Sequence, residues 1–571
     1  MIKRTLPRIS ALAGLALLLG CSAEVDGSQR NGGAPAGSGS SDLPVNGGSI
    51  PSVPGPGPGQ TPGPTPGSID APNGAPLGPT LLRRLTNAEY RSTVQTLLQL
   101  GAPPSEPLQA EGWSQGFDNF SAVLTVSPAI AAQYADVAAR QAAEAFQVPA
   151  CPAPSVPLDC AKAFIADFGK RAFRRPLSAT EQAEYEALYT LDQSASGHVS
   201  GVRQVVETML QSPNLLYRTE LGEASSGAAR TLTSYEIATF LAYLFTGTPP
   251  DSTLMTAADA NQLASSKQIE EQARRLLTLP EARFPLRHFV QAFAGIANLG
   301  GLAKDLQVYP EFTPTLRAAM GEETARFIDS RLWEGDGSFT SLMTSRSSFV
   351  NAELGAHYGL ADAGQGTSFV PQELNAQNRS GLLTQASVLA AHSKLAESFP
   401  IARGKYVRVG LLCQTLPPPP ANMAIQPPDP DPTRTTRERF AAHSANPACS
   451  GCHSLIDPVG FGLENYDGIG RFRTEENGKP VDASGTLTGT LDIDGPYSGG
   501  VELASKLAGS LEAKQCLAQN AYRWAFARPE LKAEDALARQ ITVGLAPGGL
   551  DIRELLISIA KTDGFKSRIH R

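Results

Sequence analysis

Apolar positions recur every three or four residues through most of the chain after about residue 80, which is the spacing of amphipathic helices. Helix start signals accompany the pattern, as where Thr86 precedes Glu89 by three residues and predicts a capping box. Strand-like alternation is scarce, although residues 472–481 around Asn477-Gly478 predict a β-hairpin. Because aromatic residues make up only 7% of the chain, we expect a mainly α fold of several helical modules with one small hairpin.

The first 20 residues have a different pattern, with three basic residues ahead of an apolar run at 11–19. This is the layout of a secretory signal peptide, and the apolar run is too short to span a bilayer. Cys21 closes the run and resembles the acylated cysteine of bacterial lipoproteins, so we expect a lipid anchor there. By resemblance to other Gram-negative lipoproteins, Ser22 rather than aspartate after the cysteine implies the outer membrane. The alternative is an ordinary signal peptide with an incidental cysteine.

Residues 21–79 are rich in glycine, proline and serine, with almost no large apolar side chain. Such a segment cannot bury enough surface to offset its ordering entropy, so it predicts a disordered tether. The formal net charge of -7 becomes about -10 once the three basic residues of the signal are removed. This acidic balance gives no indication of nucleic-acid binding.

Breaks in the helical pattern divide the rest of the chain into five predicted modules, at 80–150, 151–228, 229–377, 378–500 and 501–571. Arg174-Arg175-Pro176 predicts a bend that ends a helix and leaves its arginines solvated. His288 and His357 are isolated among apolar neighbours, where histidines usually pack or face solvent. No catalytic triad spacing, phosphate loop or His-Glu-x-x-His pattern occurs.

One pentapeptide carries a recognisable chemistry: Cys449-Ser450-Gly451-Cys452-His453 is the pattern of a c-type haem attachment site. Two thiols at this spacing add to the vinyl groups of one porphyrin, and the histidine becomes the proximal iron ligand. The alternatives are a disulfide or half of a zinc site, but a second ligand pair at similar spacing is missing. Glycines after the motif, such as Gly460, predict close approach of the backbone to the flat cofactor.

Several further motifs resemble one known family. They are residues 82–90, 172–177, 212–218, 403–405, 449–453 and 456–461. Together they are similar to the planctomycete-type and myxobacterial haem c proteins, which are built from domains of unknown function. The resemblance implies an exported protein whose residues 378–500 form a cytochrome c-like module, and it implies no established substrate.

Seven cysteines, less Cys21 and the two of the haem motif, leave four for an oxidising compartment. We predict a Cys151–Cys160 disulfide because the loop between them is short and rich in proline. We also predict Cys413–Cys516, which would join the C-terminal helices to the haem module. Other pairings and four free thiols remain open from spacing alone.

The sixth iron ligand is harder to predict, because no methionine follows Met423 and His570 is the one histidine after His453. We choose His443, which ends the predicted helix leading into the attachment loop and lies ten residues before His453. The family resemblance also places a histidine there. His443 would equally suit a bond to a haem propionate, and His392, Met423 and His570 are the other candidates.

These features predict an exported, lipid-anchored haem c protein of the cell envelope that transfers electrons to a redox partner of unknown identity. Contact with the membrane would be through the N-terminal lipid. Two alternatives remain: a cell-surface binding or scaffold protein, such as one for polysaccharide, with a structural or absent haem, and a haem oxidoreductase with an open iron site. The sequence does not decide whether the protein is an enzyme.

Overall fold

Helices make up most of the structure, a computed structural model that describes residues 78–79, 81–151, 156–224, 229–361, 363–417, 428–429, 431–444 and 447–569. The side chains of 224, 442–444 and 447–449 are outside that description. The predictions for Cys21, the tether up to residue 77, Met423 and His570 also lie outside the described residues. Within them, twenty-two α-helices and eleven short strands confirm the mainly α fold.

The N-terminal helices begin where the sequence signals predict. Thr86 accepts a hydrogen bond from the Glu89 amide, and the Glu89 carboxylate accepts one from the Thr86 amide, so the capping box is present. The helices are α1 Asn87–Leu98, α2 Pro128–Arg140, α3 Pro157–Phe173, α4 Ala179–Ser196, α5 His198–Leu210 and α6 Pro213–Leu216. Their apolar faces meet in one core around Tyr90, Phe168 and Val205, which the first two predicted modules share.

The central helices surround a larger core that extends into the C-terminal part of the chain, with Phe240 of α7 stacked on Phe565. These helices are α7 Ser234–Phe245, α8 Ser252–Asp259, α9 Ser266–Leu277, α10 Arg283–Phe293, α11 Pro314–Asp329, α12 Phe339–Thr344, α13 Ala352–Tyr358 and α14 Ala386–Ala391. The apolar spacing over 379–392 favours one continuous helix, but Gly381 has a φ of 54° and the chain turns there, so the α-helix is shortened to α14.

The remaining helices follow the predicted haem stretch to the C-terminus. They are α15 Pro400–Lys405, α16 Thr436–Ser444, α17 Pro447–Phe461, α18 Gly499–Gly509, α19 Leu511–Phe526, α20 Lys532–Leu545, α21 Ile552–Ala560 and α22 Asp563–Lys566. Short π-helical turns extend α2, α11 and α15 at Gln141–Ala145, Ser330–Glu334 and Tyr406–Leu411. Short 3₁₀ turns occur at Pro280–Ala282, Leu299–Gly301, Leu382–Thr384 and Ala546–Gly548.

The strands form small antiparallel sheets that join distant parts of the chain. They are β1 Arg83–Arg84, β2 Tyr217–Arg218, β3 Glu223–Ala224, β4 Ala229–Thr231, β5 Ser347–Val350, β6 Val370–Glu373, β7 Glu475–Glu476, β8 Lys479–Pro480, β9 Ser484–Leu487, β10 Gly495–Ser498 and β11 Ser567–Ile569. β7 and β8 form the predicted hairpin, with positive φ at Asn477 and Gly478. The pairing of β9 with β10 is a second hairpin that the sequence pattern did not predict.

A buried carboxyl group joins the central helices to β5. Glu323 of α11 is fully buried, and it accepts hydrogen bonds from the Ser348 hydroxyl at 2.7 Å and from the Tyr358 hydroxyl at 2.6 Å. Burial raises the pKa of Glu323 to about 7, against the opposing effect of these two hydrogen bonds and of the Arg379 charge. The folded state therefore holds this proton more tightly than the unfolded chain does.

Glu323→Gln should consequently alter the pH dependence of stability. The stabilisation from the protonated carboxyl group is complete below the ordinary glutamate pKa and is lost as the pH rises through about 7. Between pH 4.5 and 8 we expect the free energy of unfolding of the unmodified protein to fall by about 3 kcal/mol more than that of the variant. Denaturant titrations across this range measure it, with exposed Glu373→Gln as the control. Parallel curves for the protein and Glu323→Gln would contradict the assignment.

Candidate functional site

The haem-type motif lies within α17 rather than in a loop, which corrects the predicted attachment loop. Pro447 begins the helix, where its missing amide donor costs nothing, and the helix continues to Phe461 with Pro458 inside it. Cys452 and His453 therefore lie on one helical turn. Cys449 is on the preceding turn of the same helix, with its side chain outside the described residues.

The side chain of His453 is held by a carboxylate one turn along the helix. Its Nδ1 lies 2.9 Å from Oδ1 and 3.0 Å from Oδ2 of Asp457, and both residues are buried. The i,i+4 spacing brings the two side chains together on one helix face. A proton on Nδ1 donated to the carboxylate fixes the tautomer in which Nε2 is the nitrogen that ligates a metal.

Cys452 has the accessibility that covalent attachment requires, because its thiol is free and only partly buried. Burial, followed by the nearby Asp457 carboxylate, raises the pKa of this thiol. A partly exposed thiol next to a buried, carboxylate-held histidine fits the donor set of a c-type haem. The described part of the motif is thus compatible with the predicted cofactor.

The glycines around the motif make helix contacts, contrary to the predicted role in approaching a cofactor. A Cβ on Gly404 of α15 would collide with the backbone oxygen of Ile456, and one on Gly460 would collide with that of Pro400. α15 and α17 therefore cross backbone to backbone at these positions. The crossing fixes α17 against α15. The charge of Lys405, which follows Gly404, lowers the pKa of the Cys452 thiol and so offsets part of the increase caused by burial and by Asp457.

A buried arginine fixes the chain where α17 ends. The guanidinium of Arg403 donates to the carbonyls of Leu463 at 2.8 Å, Tyr466 at 2.6 Å and Asp467 at 2.6 Å. Arg408, one turn further along, donates to the Leu455 carbonyl of α17 at 3.0 Å. These bonds satisfy three backbone carbonyls in the segment that follows α17 and one carbonyl within the helix, and they hold both in place.

The candidate sixth ligands lie in different surroundings. His443 is near the end of α16, which packs against α17, and its side chain is outside the described residues. His392 stacks on Tyr406 with ring centroids 4.0 Å apart, and its Nδ1 donates to the Val388 carbonyl at 2.8 Å. Burial lowers the pKa of His392 to about 4, so the imidazole is neutral at pH 7.

Both predicted cysteine pairs are disulfides in the structure. Cys151 is joined to Cys160 at a Cα–Cα distance of 5.7 Å, and Cys413 to Cys516 at 5.2 Å. The second bond connects the chain after the π-helical turn that follows α15 to α19 of the C-terminal module. It therefore links the element that crosses α17 to the C-terminal helices.

Neither a grouped set of metal ligands nor a membrane-spanning helix occurs among the described residues. In this part of the chain, no three histidine, cysteine, aspartate or glutamate side chains are grouped so that they could hold a metal ion. None of the described helices is long and apolar enough to cross a membrane.

Four family models match successive stretches of the chain. They are PSD3, protein of unknown function (DUF1587), at 83–147; PSD5, protein of unknown function (DUF1595), at 160–220; PSD4, protein of unknown function (DUF1592), at 232–360; and PSCyt3, protein of unknown function (DUF1588), at 379–476. No curated protein and no solved structure matches the chain.

The matches confirm the resemblance to a family built from domains of unknown function. The chain contains one domain of each of these four types, and the PSCyt3 stretch includes α15, α16, α17 and the whole haem-type motif.

The pairing of His453 with Asp457 was not predicted from the sequence. Asp457 appeared as part of a family-like motif at 456–461, without a role. The signal was available, because a carboxylate four residues after a histidine meets it if the segment is helical. With the motif predicted as a loop, residues 453 and 457 would not be neighbours on one helix face, so the pairing was not expected.

Proposed function

We propose that this protein is an exported electron-transfer protein with one haem c, attached through Cys449 and Cys452 and ligated by His453 Nε2. The observation that carries the proposal is the His453–Asp457 pair at 2.9 Å on the helix that bears the complete Cys-x-x-Cys-His motif. The PSCyt3 name of the matching family model gives further support. A bound haem c would supply a one-electron iron couple.

Asp457 has a defined role in this proposal. Its buried carboxylate accepts the Nδ1 proton of His453, which orients the ring and increases the basicity of Nε2. A more basic ligand stabilises the oxidised form over the reduced form and so lowers the reduction potential. Asp457 is thus a positioning residue that tunes the potential without touching the cofactor.

The proposed location follows from the N-terminal sequence. Cys21 would carry the lipid, and the tether to residue 79 would hold the folded part away from the membrane surface. The disulfides fit an oxidising compartment. We therefore propose a lipid-anchored protein of the cell envelope, with a redox partner as its functional contact.

His443 is the proposed sixth ligand. α16 packs on α17, and only residues 445 and 446 separate the end of α16 at Ser444 from Pro447. This connection keeps His443 near the start of the helix that carries the motif. Bis-histidine ligation would keep the iron low-spin and suit electron transfer without substrate binding.

Potentiometric titration of the protein, purified from a host with haem c maturation machinery, tests electron transfer. We expect one reversible one-electron transition, with a more positive midpoint in Asp457→Asn because the amide removes the negative charge beside His453. Asp482→Asn is the matched control, since this carboxylate is 60% exposed in the same module. A midpoint that does not move in Asp457→Asn would contradict the role of Asp457, and the absence of any transition would contradict the proposed function.

Carbon monoxide distinguishes the electron carrier from an oxidoreductase with an open iron site. The reduced, low-spin protein should not bind carbon monoxide, whereas His443→Ala should bind it. His392→Ala should behave like the unmodified protein. Ready binding of carbon monoxide by the unmodified protein would favour the oxidoreductase with an open iron site. If the spectrum of His443→Ala is the same as that of the unmodified protein, another residue is the sixth ligand.

A further inference from the structure

Three exposed aliphatic side chains lie around one loop next to the helix that carries the haem-type motif. Leu491, in the loop between β9 and β10, is 78% exposed, while Val409 and Leu511 are 40% and 38% exposed. The amide of Leu511 donates to Asp492 of the same loop, which places this leucine beside it. A single exposed leucine is ordinary on a protein surface, whereas a group of apolar side chains indicates a contact surface. These three side chains form the Leu491 surface.

Hydrogen bonds hold the loop in the position that exposes Leu491. Oδ1 of Asp494 accepts from the amide and the hydroxyl of Thr490 at 2.7 and 2.6 Å. The amide of Leu491 donates to Oε2 of Glu512 at 2.8 Å, and Nε2 of Gln414 donates to Oε1 of the same glutamate at 2.8 Å. Because the loop is already ordered, a partner that binds there does not have to offset the entropy of ordering it.

The Leu491 surface lies towards the end of α17 that carries Cys452. α15 is antiparallel to α17, because position 404 meets position 456 and position 400 meets position 460. The turn after α15, which contains Val409, therefore continues towards Cys452. Arg408 connects this turn to the loop and to α17, since its Nη1 donates to the Thr488 carbonyl at 2.7 Å and its Nε to the Leu455 carbonyl at 3.0 Å. The surface is thus at the end of α17 where the Cys452 thiol is partly exposed.

The charges around the Leu491 surface balance. Three carboxylates and three cationic groups belong to the loop, to the start of α19 and to the neighbouring parts of α15 and α18, namely Asp492, Asp494, Glu512, Lys405, Lys506 and the buried Arg408. Because their formal charges sum to zero, long-range attraction would contribute little to an encounter at this surface. A partner with a strongly charged contact surface would find no complementary charge here.

The Leu491 surface is also small. Three partly exposed aliphatic side chains provide far less than the about 800 Å² that each partner buries in a standard stable complex. Encounters between electron-transfer proteins are at the low end of the range of interface areas. The area therefore fits a transient redox partner and is less than a stable dimer of this chain would need.

We propose that the Leu491 surface is the docking site for a one-electron redox protein whose own contact surface is apolar and carries little net charge. This inference rests on the proposed haem function. Docking here would bring the redox centre of the partner close to the Cys452 side of the haem, and electron transfer slows steeply with distance. In each encounter one electron would pass from the reduced iron, which becomes iron(III), to the oxidised centre of the partner, and no bond or proton would be exchanged.

Zinc-substituted azurin tests the docking without electron transfer. Azurin is a blue-copper protein with an uncharged apolar surface above its metal, and zinc makes it redox-inactive. Nuclear magnetic resonance of isotope-labelled zinc azurin, titrated with the full-length protein in detergent, should show saturable shift changes at that apolar surface. The affinity should be nearly the same at low and at physiological ionic strength, because the charges at the Leu491 surface balance.

Leu491→Asp locates the docking site. The exposed side chain can be replaced without disturbing the cores, and a carboxylate in the apolar contact would lose its hydration, so the affinity for zinc azurin should fall at least about tenfold. Leu191→Asp is the matched control, because it makes the same change at a leucine of α4 that is 72% exposed. This control should bind as tightly as the unmodified protein. Circular dichroism of both variants verifies that each is folded.

Stopped-flow mixing of the reduced protein with copper(II) azurin measures the electron transfer itself. The second-order rate constant should fall at least about tenfold in Leu491→Asp and stay unchanged in Leu191→Asp. Absence of saturable zinc azurin binding, equal affinities of the two variants, or tighter binding of the lysine-rich mitochondrial cytochrome c would overturn the docking site. If zinc azurin docks at Leu491 but the protein shows no redox transition, the proposed function fails while the docking surface stands.

Discussion

Replacing both Cys449 and Cys452 with alanine should abolish covalently bound haem. In the proposed function the two thiols would provide the thioether bonds that keep the cofactor attached after denaturation, which the side chain of His453 alone would not do. Haem-peroxidase staining of a denaturing gel should show a band for the unmodified protein and none for the double variant. The protein must come from a host with haem c maturation machinery.

Cys151→Ser/Cys160→Ser is the matched control, because it also removes two cysteines but leaves α17 unchanged. We expect this control to retain the haem stain at full intensity. An unstained band for the unmodified protein would remove the basis of the proposed function. A stain that persists in the Cys449→Ala/Cys452→Ala variant would show that the attachment is elsewhere.

The elements that could be predicted from the sequence depend on local signals. Capping boxes at Thr86, Ser178 and Thr233 are all present in the structure. Each involves side chains within four residues, so one short window contains all the required information. The β7–β8 hairpin was predictable for the same reason, because Asn477-Gly478 supplies the two left-handed residues of its turn.

Buried arginines could not be predicted in this way. The sequence predicts that Arg174 is solvated, but it is 3% exposed and donates to the carbonyls of Asn214, Leu215 and Tyr217 at 2.8–3.0 Å. Those acceptors lie about forty residues away, at the end of α6. Arg403 is a second case, with acceptors sixty residues further along the chain. A local charge pattern contains no information on such partners.

The haem-type motif and the surroundings of His288 differ in how far the sequence reveals them. Five consecutive residues indicate the chemistry of the haem-type site, because thioether attachment requires a fixed local spacing. The cavity beside His288 is bounded by β1, α10 and α19, and the residues that line it come from positions as distant as 83 and 525. His288 therefore looked like an isolated histidine, because Asp118 becomes its neighbour only through tertiary folding.

Cys413→Ser/Cys516→Ser should lower the free energy of unfolding by about 4–5 kcal/mol. The bond closes a loop of 103 residues, and a cross-link of this length stabilises by about 4–5 kcal/mol through the entropy of the unfolded chain. The disulfide also has a polar contact, because Nδ2 of Asn520 donates a hydrogen bond to Sγ of Cys413 at 3.3 Å.

Cys151→Ser/Cys160→Ser provides the comparison for that loss. Its bond spans only nine positions, so the same loop-closure entropy predicts a smaller loss of about 3 kcal/mol. Denaturant unfolding of both double variants under oxidising conditions measures the difference. Because Cys413–Cys516 joins the chain after α15 to α19, its loss should also loosen the attachment of the C-terminal helices, and proteolysis there should accelerate. If the Cys413→Ser/Cys516→Ser variant is no less stable than the other, or if non-reducing peptide mapping joins Cys413 to Cys151, this bond does not have the proposed role.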